Sequence, residues 1–168
     1  VQKVGLSSVK MCNLNVGDYV TDVVGPLGNP THIENFGTVL CAGGGVGVAP
    51  MLPIIKALKA AGNRVLSVIA GRSKDLIMLE DEVRASSDEL IIMTDDGSYG
   101  EKGVVTVGME KFIKQEPKID KAFAIGPPIM MKFCCLLTQK YNIPTDVSLN
   151  TIMVDGTGMC GACRLTIG

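Results

Sequence analysis

The chain has 168 residues, 46% of them hydrophobic and 20% charged, with a formal net charge of −1 and a pI near 5.8. That length holds one or two compact domains, and that apolar content supports a packed core and argues against disorder. With four Phe, three Tyr, no Trp and no basic run, the chain lacks the clustered Lys and Arg that a nucleic-acid or anionic-membrane partner requires.

The N-terminus, Val1-Gln2-Lys3-Val4-Gly5, has neither a charged n-region nor an apolar h-region. It is not a signal peptide and reads as the inside of a longer, cytoplasmic protein. Val16 to Gly28 reads as β structure closed by the Gly25-Pro26 turn. Asn35 to Ile55 carries no charge, but its five glycines and two prolines fit a buried strand and turn better than a membrane span.

From Thr38 onward strand-like and helical segments alternate. The run Thr38-Val39-Leu40 leads into a glycine turn, and Pro50 to Ala61 has a helical pattern. This helix places Met51, Ile54, Ile55 and Leu58 on one face and Lys56 and Lys59 toward water. Arg64 to Ala70 is a continuous apolar run, as expected of a strand covered on both faces. Leu79 to Ser86 is a short acidic helix, Leu90 to Thr94 a strand, Val105 to Gln115 a helix and Lys121 to Ile125 a strand. Pro127 to Tyr141 is a helix, and Thr145 to Leu149 reads as a last strand. Repeated β–α units of this length predict an α/β fold with a doubly wound parallel sheet.

Ligands of such sheets bind at the carboxyl ends of the strands, and four loops of interest fall there. The first is Gly43-Gly44-Gly45-Val46-Gly47-Val48-Ala49-Pro50. A strand, a glycine turn and a helix N-terminus form an anion site, because the first helical N–H groups lack partners and the macrodipole adds positive character. The spacing Gly45-x-Gly47-x-x-Pro50 puts Pro where a dinucleotide fingerprint has Gly or Ala, and Pro is tolerated in a first helical turn. Gly45 and Gly47 are expected to leave room for a pyrophosphate, with the domain staying folded when Gly47 is enlarged. A plain tight turn is the competing reading.

The second loop is Gly71-Arg72-Ser73-Lys74-Asp75. Its position suits a ribose, and Arg72, Ser73 and Lys74 chemically suit a phosphate; a solvated loop is the alternative. The third, Thr94 to Gly103, includes Asp95, Asp96 and Gly97 and is long for a bare connection. The fourth, Gly126-Pro127-Pro128-Ile129-Met130, starts a helix at a Gly-Pro corner. The missing side chain of Gly126 would let a flat ring or ribose lie against the backbone.

The six cysteines read as reduced thiols or metal ligands. Cys12 and Cys41, in strand-like runs, and Cys134 and Cys135, in mid-helix, read as small buried hydrophobes. The nine methionines read as mostly core filler. Cys160-x-x-Cys163 among glycines is a metal-ligand spacing, and Asp155 stands where plant-type [2Fe–2S] loops have their first Cys. A zinc half-site and two free thiols are the alternatives. No catalytic triad, acid, base or nucleophile is evident, and His32 reads as a turn residue.

Taken together, Gly25-Pro26-Leu27-Gly28, the Gly43–Pro50 turn, Gly71 to Leu76, Asp95-Asp96-Gly97-Ser98-Tyr99-Gly100, Gly126-Pro127 with Met130, and the Asp155/Cys160/Cys163 loop resemble the ferredoxin–NAD(P) reductase superfamily. The resemblance is closest to its branch of electron-transfer subunits of bacterial dihydroorotate dehydrogenase, a pyrimidine-biosynthesis enzyme. The small subunit of sulfide dehydrogenase, an NADH-dependent reduced ferredoxin:NADP oxidoreductase, is the near relative, and Asp155 in place of Cys favours it. The resemblance implies FAD, NAD(H) or NADP(H) and a [2Fe–2S] cluster as cofactors. It implies a larger catalytic flavoprotein subunit as partner, with ferredoxin a further one.

It also implies three modules: residues 1–35 as the end of a flavin-binding β-barrel, 36–149 as the NAD(P)-binding domain, and 150–168 as the start of a cluster lobe. Gly5, Ser7 and Ser8 resemble the segment that contacts the flavin pyrophosphate, and Gly25, Pro26 and Gly28 belong to the same cofactor set. The flavin-stacking Arg-x-Tyr-Ser type of motif is absent, and the fourth cluster ligand is expected beyond Gly168 or elsewhere. The rival function is a non-catalytic nucleotide-binding module with structural zinc at Cys160 and Cys163.

Overall fold

Val39, Leu40, Cys41 and Ala42 are all buried, which requires cover on both faces of the strand that carries them. A computed structural model, describing residues 1–150 and 152–166, provides that cover. Strand β1 (Thr38–Gly44) lies between β2 (Arg64–Gly71) and β5 (Lys121–Ile125). Strands β3 (Glu89–Thr94) and β4 (Glu101–Lys102) extend the sheet on one side and β6 (Thr145–Val147) on the other. The order is β4-β3-β2-β1-β5-β6, and every pairing is parallel.

The period of two sorts each strand's side chains between two cores. Leu40, Ala42, Leu66, Val68 and Met93 face helices α4 (Val105–Gln115) and α5 (Pro128–Lys140), meeting Met109, Phe112, Met131 and Cys134. Val39, Cys41, Val65 and Ile69 face α2 (Val48–Ala60) and α3 (Glu80–Ser86), meeting Met51, Ile55, Leu58 and Val83. The doubly wound parallel sheet expected from the alternating pattern is therefore the fold. Helix α2 begins two residues before the expected Pro50, because the glycine turn itself winds into a 3-10 turn, Gly45–Gly47, that feeds the helix. Only Met51, Met93, Met109 and Met131 of the nine methionines are core residues, while Met11, Met78, Met153 and Met159 are exposed.

Asn63 ties the start of β1 to the α2–β2 turn. It is 3% exposed; its side-chain oxygen accepts from the N–H groups of Phe36 (2.7 Å) and Gly37 (3.1 Å). Its amide donates to the carbonyls of Glu34 and Leu58, both at 2.8 Å. Asn63→Ala removes four bonds around a buried site, and we expect a loss of about 2 kcal/mol. Urea denaturation measures it; an unmoved midpoint would show that the junction is held by something else.

The chain divides into two units, Thr31–Asn150 and a smaller one comprising Val1–Pro30 with Thr151–Gly168. In the smaller unit, Leu6–Cys12 forms helix α1. Its start is fixed by Ser8, whose hydroxyl accepts from the Gly5 N–H at 2.8 Å and donates to the Gly5 carbonyl at 3.0 Å. Cys12 therefore ends a helix and is exposed, not buried in a strand. Residues 14–36 contain no strand, in contrast to the β structure expected at 16–28. Val16, Tyr19, Val20, Val23 and Val24 are all exposed, and no neighbouring strand pairs with this segment, which is what a β ladder needs.

Candidate functional site

Chain order along the sheet reverses at β1: β2, β3 and β4 follow on one side, β5 and β6 on the other. The carboxyl ends of the strands at such a switch point are the place where open α/β sheets bind ligands. Gly43 of β1 sits in register with Ile125 of β5. The Gly43–Pro50 turn and the Gly126-Pro127 corner therefore lie against each other at this end of the sheet.

The glycines of the first loop have different jobs. A Cβ on Gly43 would touch Val48 at 3.1 Å. A Cβ on Gly44 would lie 2.2 Å from the Met130 sulfur, and one on Gly126 would lie 2.6 Å from the Met130 methyl carbon. The thioether of Met130, from the first turn of α5, thus fills the niche that both glycines vacate. Gly126 makes room for a protein side chain there, where the sequence suggested a flat ring. Gly47 meets backbone rather than a side chain: its Cβ would lie 2.4 Å from the Ile125 carbonyl oxygen and 2.8 Å from the Gly126 Cα. Its role is the approach of the turn to β5, and the space expected there for a pyrophosphate is filled by backbone. Gly45 is the opposite case. It has φ +53 and nothing within 4 Å of a Cβ. With the exposed Val46 and Pro50 and the half-buried Ala49, it forms the open lip at the start of α2.

The second and third loops are knitted together. The N–H groups of Asp95 and Asp96 donate to the carbonyls of Gly71 (3.1 Å) and Arg72 (3.2 Å). The Lys74 N–H donates to the Ser98 hydroxyl at 2.8 Å, and that hydroxyl donates to Asp96 at 2.7 Å. Bonds from the Ser98 side chain and N–H hold the Asp96 carboxyl below its ordinary range. Buried Thr94 closes the turn, donating to the Tyr99 carbonyl at 2.6 Å and accepting from its N–H at 3.1 Å. Gly97 (φ +77) lets the chain fold back inside this loop. Arg72 is exposed and makes no ion pair among the described residues. Ser98 and Tyr99, which the sequence places in the matched Asp95–Gly100 run without a binding role, are the residues that build the loop.

In the smaller unit Gly5 caps α1, Ser7 is exposed and the Ser8 hydroxyl is engaged in the cap. Gly25, Pro26 and Gly28 lie in an exposed segment. Asp155, Cys160 and Cys163 are exposed. The Thr157 N–H donates to the Asp155 carboxylate at 3.0 Å; this bond leads the effects holding Asp155 below its ordinary range, and the Cys160 side chain adds to it. Among the described residues no three His, Cys, Asp or Glu side chains converge as a metal site. Cys41 and Cys134 are different: burial pushes both thiols up to about 12, which leaves them protonated and inert. No helix among the described residues is long and apolar enough to cross a membrane.

No family model matches the chain. It is 53% identical over 167 residues to the dihydroorotate dehydrogenase B (NAD(+)) electron transfer subunit homolog of Thermotoga maritima, covering 99% of this chain and 58% of that protein. Over 164 residues it is 37% identical to the probable dihydroorotate dehydrogenase B (NAD(+)) electron transfer subunit of Methanocaldococcus jannaschii, covering 97% and 62%. A solved structure of NADH-dependent reduced ferredoxin-NADP oxidoreductase superposes with a TM-score of 0.89 at 52% identity, over 98% of this chain and 59% of that one. The C-terminal domain of the PF1911 hydrogenase from Pyrococcus furiosus, at 22% identity and a TM-score of 0.59, covers 74% of this chain and 100% of that one, and shares the fold. The chain thus spans under two thirds of the length of the curated relatives it matches.

Proposed function

The chain is homologous, along nearly its whole length, to dihydroorotate dehydrogenase B electron-transfer subunits and their homologues, and from that premise we propose that it is the nicotinamide-binding, electron-passing part of a flavin and iron–sulfur oxidoreductase. The observation that carries this reading is Gly45, open and at positive φ, on the lip of a helix at the switch point of the sheet. The donor set fits a dinucleotide: a helix N-terminus for the pyrophosphate and a polar second loop for the ribose.

In this reading Gly45, Val48, Ala49 and Pro50 border the pyrophosphate. Gly43, Gly44, Gly47, Gly126 and Met130 shape the backbone beneath it, and Pro127 forms the opposite wall. Gly71, Arg72, Ser73, Asp95, Asp96 and Gly97 surround the adenosine side. Gly5, Ser7, Ser8, Gly25, Pro26 and Gly28 are assigned to the flavin, with residues 1–35 as a segment that leads out of its barrel and adds no strand to it, and 150–168 as the start of a cluster lobe. When bound, the nicotinamide, FAD and [2Fe–2S] groups would supply the chemistry by which paired and single electrons are exchanged. The protein's part is to bind, orient and shield; no acid, base or nucleophile of this chain is needed. The partner is a larger catalytic flavoprotein subunit, with ferredoxin a further acceptor or donor. A cytoplasmic setting accords with six free cysteines.

Asp155, Cys160 and Cys163 are proposed as iron ligands in the intact subunit. Their chemistry suits iron, but no three such side chains converge among the described residues, so the cluster assignment rests on spacing and homology. Carboxylate is a harder ligand than thiolate, so Asp155→Cys should change the spectrum and potential of the bound iron. Cys160→Ser should lower iron content. Metal analysis and EPR of the reduced intact subunit provide the test. A colourless protein with one zinc per chain would remove the iron–sulfur assignment and favour a structural zinc module.

A further inference from the structure

The end of β2 offers two cations to a nucleotide, Arg72 and Lys74, but their surroundings differ. Arg72 is exposed, with Asp95 and Asp96 held beside its backbone. Lys74 is already engaged. Its ammonium lies 5.3 Å from the centre of the Tyr99 ring, and its N–H is fixed by the Ser98 hydroxyl. The Tyr99 hydroxyl in turn donates to both carboxylate oxygens of Glu80, at 2.9 and 3.1 Å. Glu80 also receives Arg84 at 2.8 Å. Arg84 and the Tyr99 hydroxyl keep its carboxyl below the usual range, and the Lys74 charge contributes to that shift. Lys74 therefore rests on an aromatic face in the field of an ionised carboxylate, both of which favour a cation.

A phosphate on the adenosine ribose would be received at the end of the second strand and would need uncommitted positive charge there. Across Arg72 to Asp75 and Asp95 to Asp96 the formal charges are two cations against three carboxylates, and one of those cations is held on Tyr99. We propose that Tyr99 and Glu80 set the dinucleotide preference toward NADH by holding the Lys74 ammonium on the Tyr99 ring, where it is committed and does not serve a ribose phosphate. This inference rests on the nicotinamide-binding reading and adds a specificity device to it. Tyr99 and Glu80 act through Lys74, and neither needs to touch the nucleotide.

The test is fluorescence titration of the intact subunit with NADH and with NADPH. Wild type should bind NADH more tightly. Lys74→Ala alters an exposed side chain and should leave NADPH affinity within about twofold, because the ammonium is already withdrawn. Glu80→Gln and Tyr99→Leu should each tighten NADPH by about fivefold, with NADH changed less than twofold. Adding Lys74→Ala to Glu80→Gln should abolish the gain. A fivefold loss of NADPH binding in Lys74→Ala, or an unchanged NADPH-to-NADH ratio in folded Glu80→Gln, overturns the proposal. If wild type binds neither nucleotide, the nicotinamide reading falls and this inference with it.

Discussion

Gly47→Val is expected to unfold the α/β unit rather than to block a ligand. Its Cβ would stand 2.4 Å from the Ile125 oxygen, 2.7 Å from the Ile125 carbonyl carbon and 2.8 Å from the Gly126 Cα. All three atoms are backbone, so no side chain can rotate away. Relief requires the end of β5 to move from β1, and those strands are paired up to Gly43 and Ile125. The two further methyl groups of Val worsen the overlap. We expect a loss of at least about 4 kcal/mol, a large fraction of a domain's total stability. Far-UV circular dichroism with thermal and urea denaturation measures it. A folded variant melting within a few degrees of wild type would show that the close approach is not needed.

Gly45→Asn is the contrasting case and should leave the fold intact while weakening NADH binding on the order of a hundredfold. The position has φ +53, a conformation that Asn tolerates better than other side chains. Nothing in the protein lies within 4 Å of a Cβ there, so the new side chain enters only the space assigned to the pyrophosphate. Fluorescence titration with NADH, beside a melting curve, separates the two effects. Unchanged affinity in a folded variant would place the nucleotide elsewhere. The two neighbouring glycines are thus expected to fail in opposite ways, one through stability and one through binding.

The difference between Gly45 and Gly47 could not be read from the chain. Both match one fingerprint, and the spacing predicts space for a pyrophosphate at each. What separates them is the direction in which a Cβ would point, toward solvent in one case and into the neighbouring strand in the other. The same holds at Gly126, where the missing side chain accommodates Met130. It holds again at Lys74, suited by chemistry to a phosphate but lying over the ring of Tyr99, a residue far away in the sequence.

Local pattern alone determined the elements of the α/β unit except the two-residue β4, which lies in what reads as a loop. A run such as Lys121 to Ile125, whose Ala122, Phe123, Ala124 and Ile125 are all apolar, has one stable environment, a strand covered on both faces. Val105 to Gln115 repeats its apolar positions with helical period, and the structure has the same limits for both elements. Parallel order followed from that alternation, because helical crossovers leave few other topologies. The tertiary structure decided what pattern cannot encode. It decided that Val16 to Gly28 has no ladder, since a strand's backbone bonds belong to partners distant in sequence. It decided which glycine packs and which stays open, and which charge is committed, since these depend on atoms brought together across the sheet.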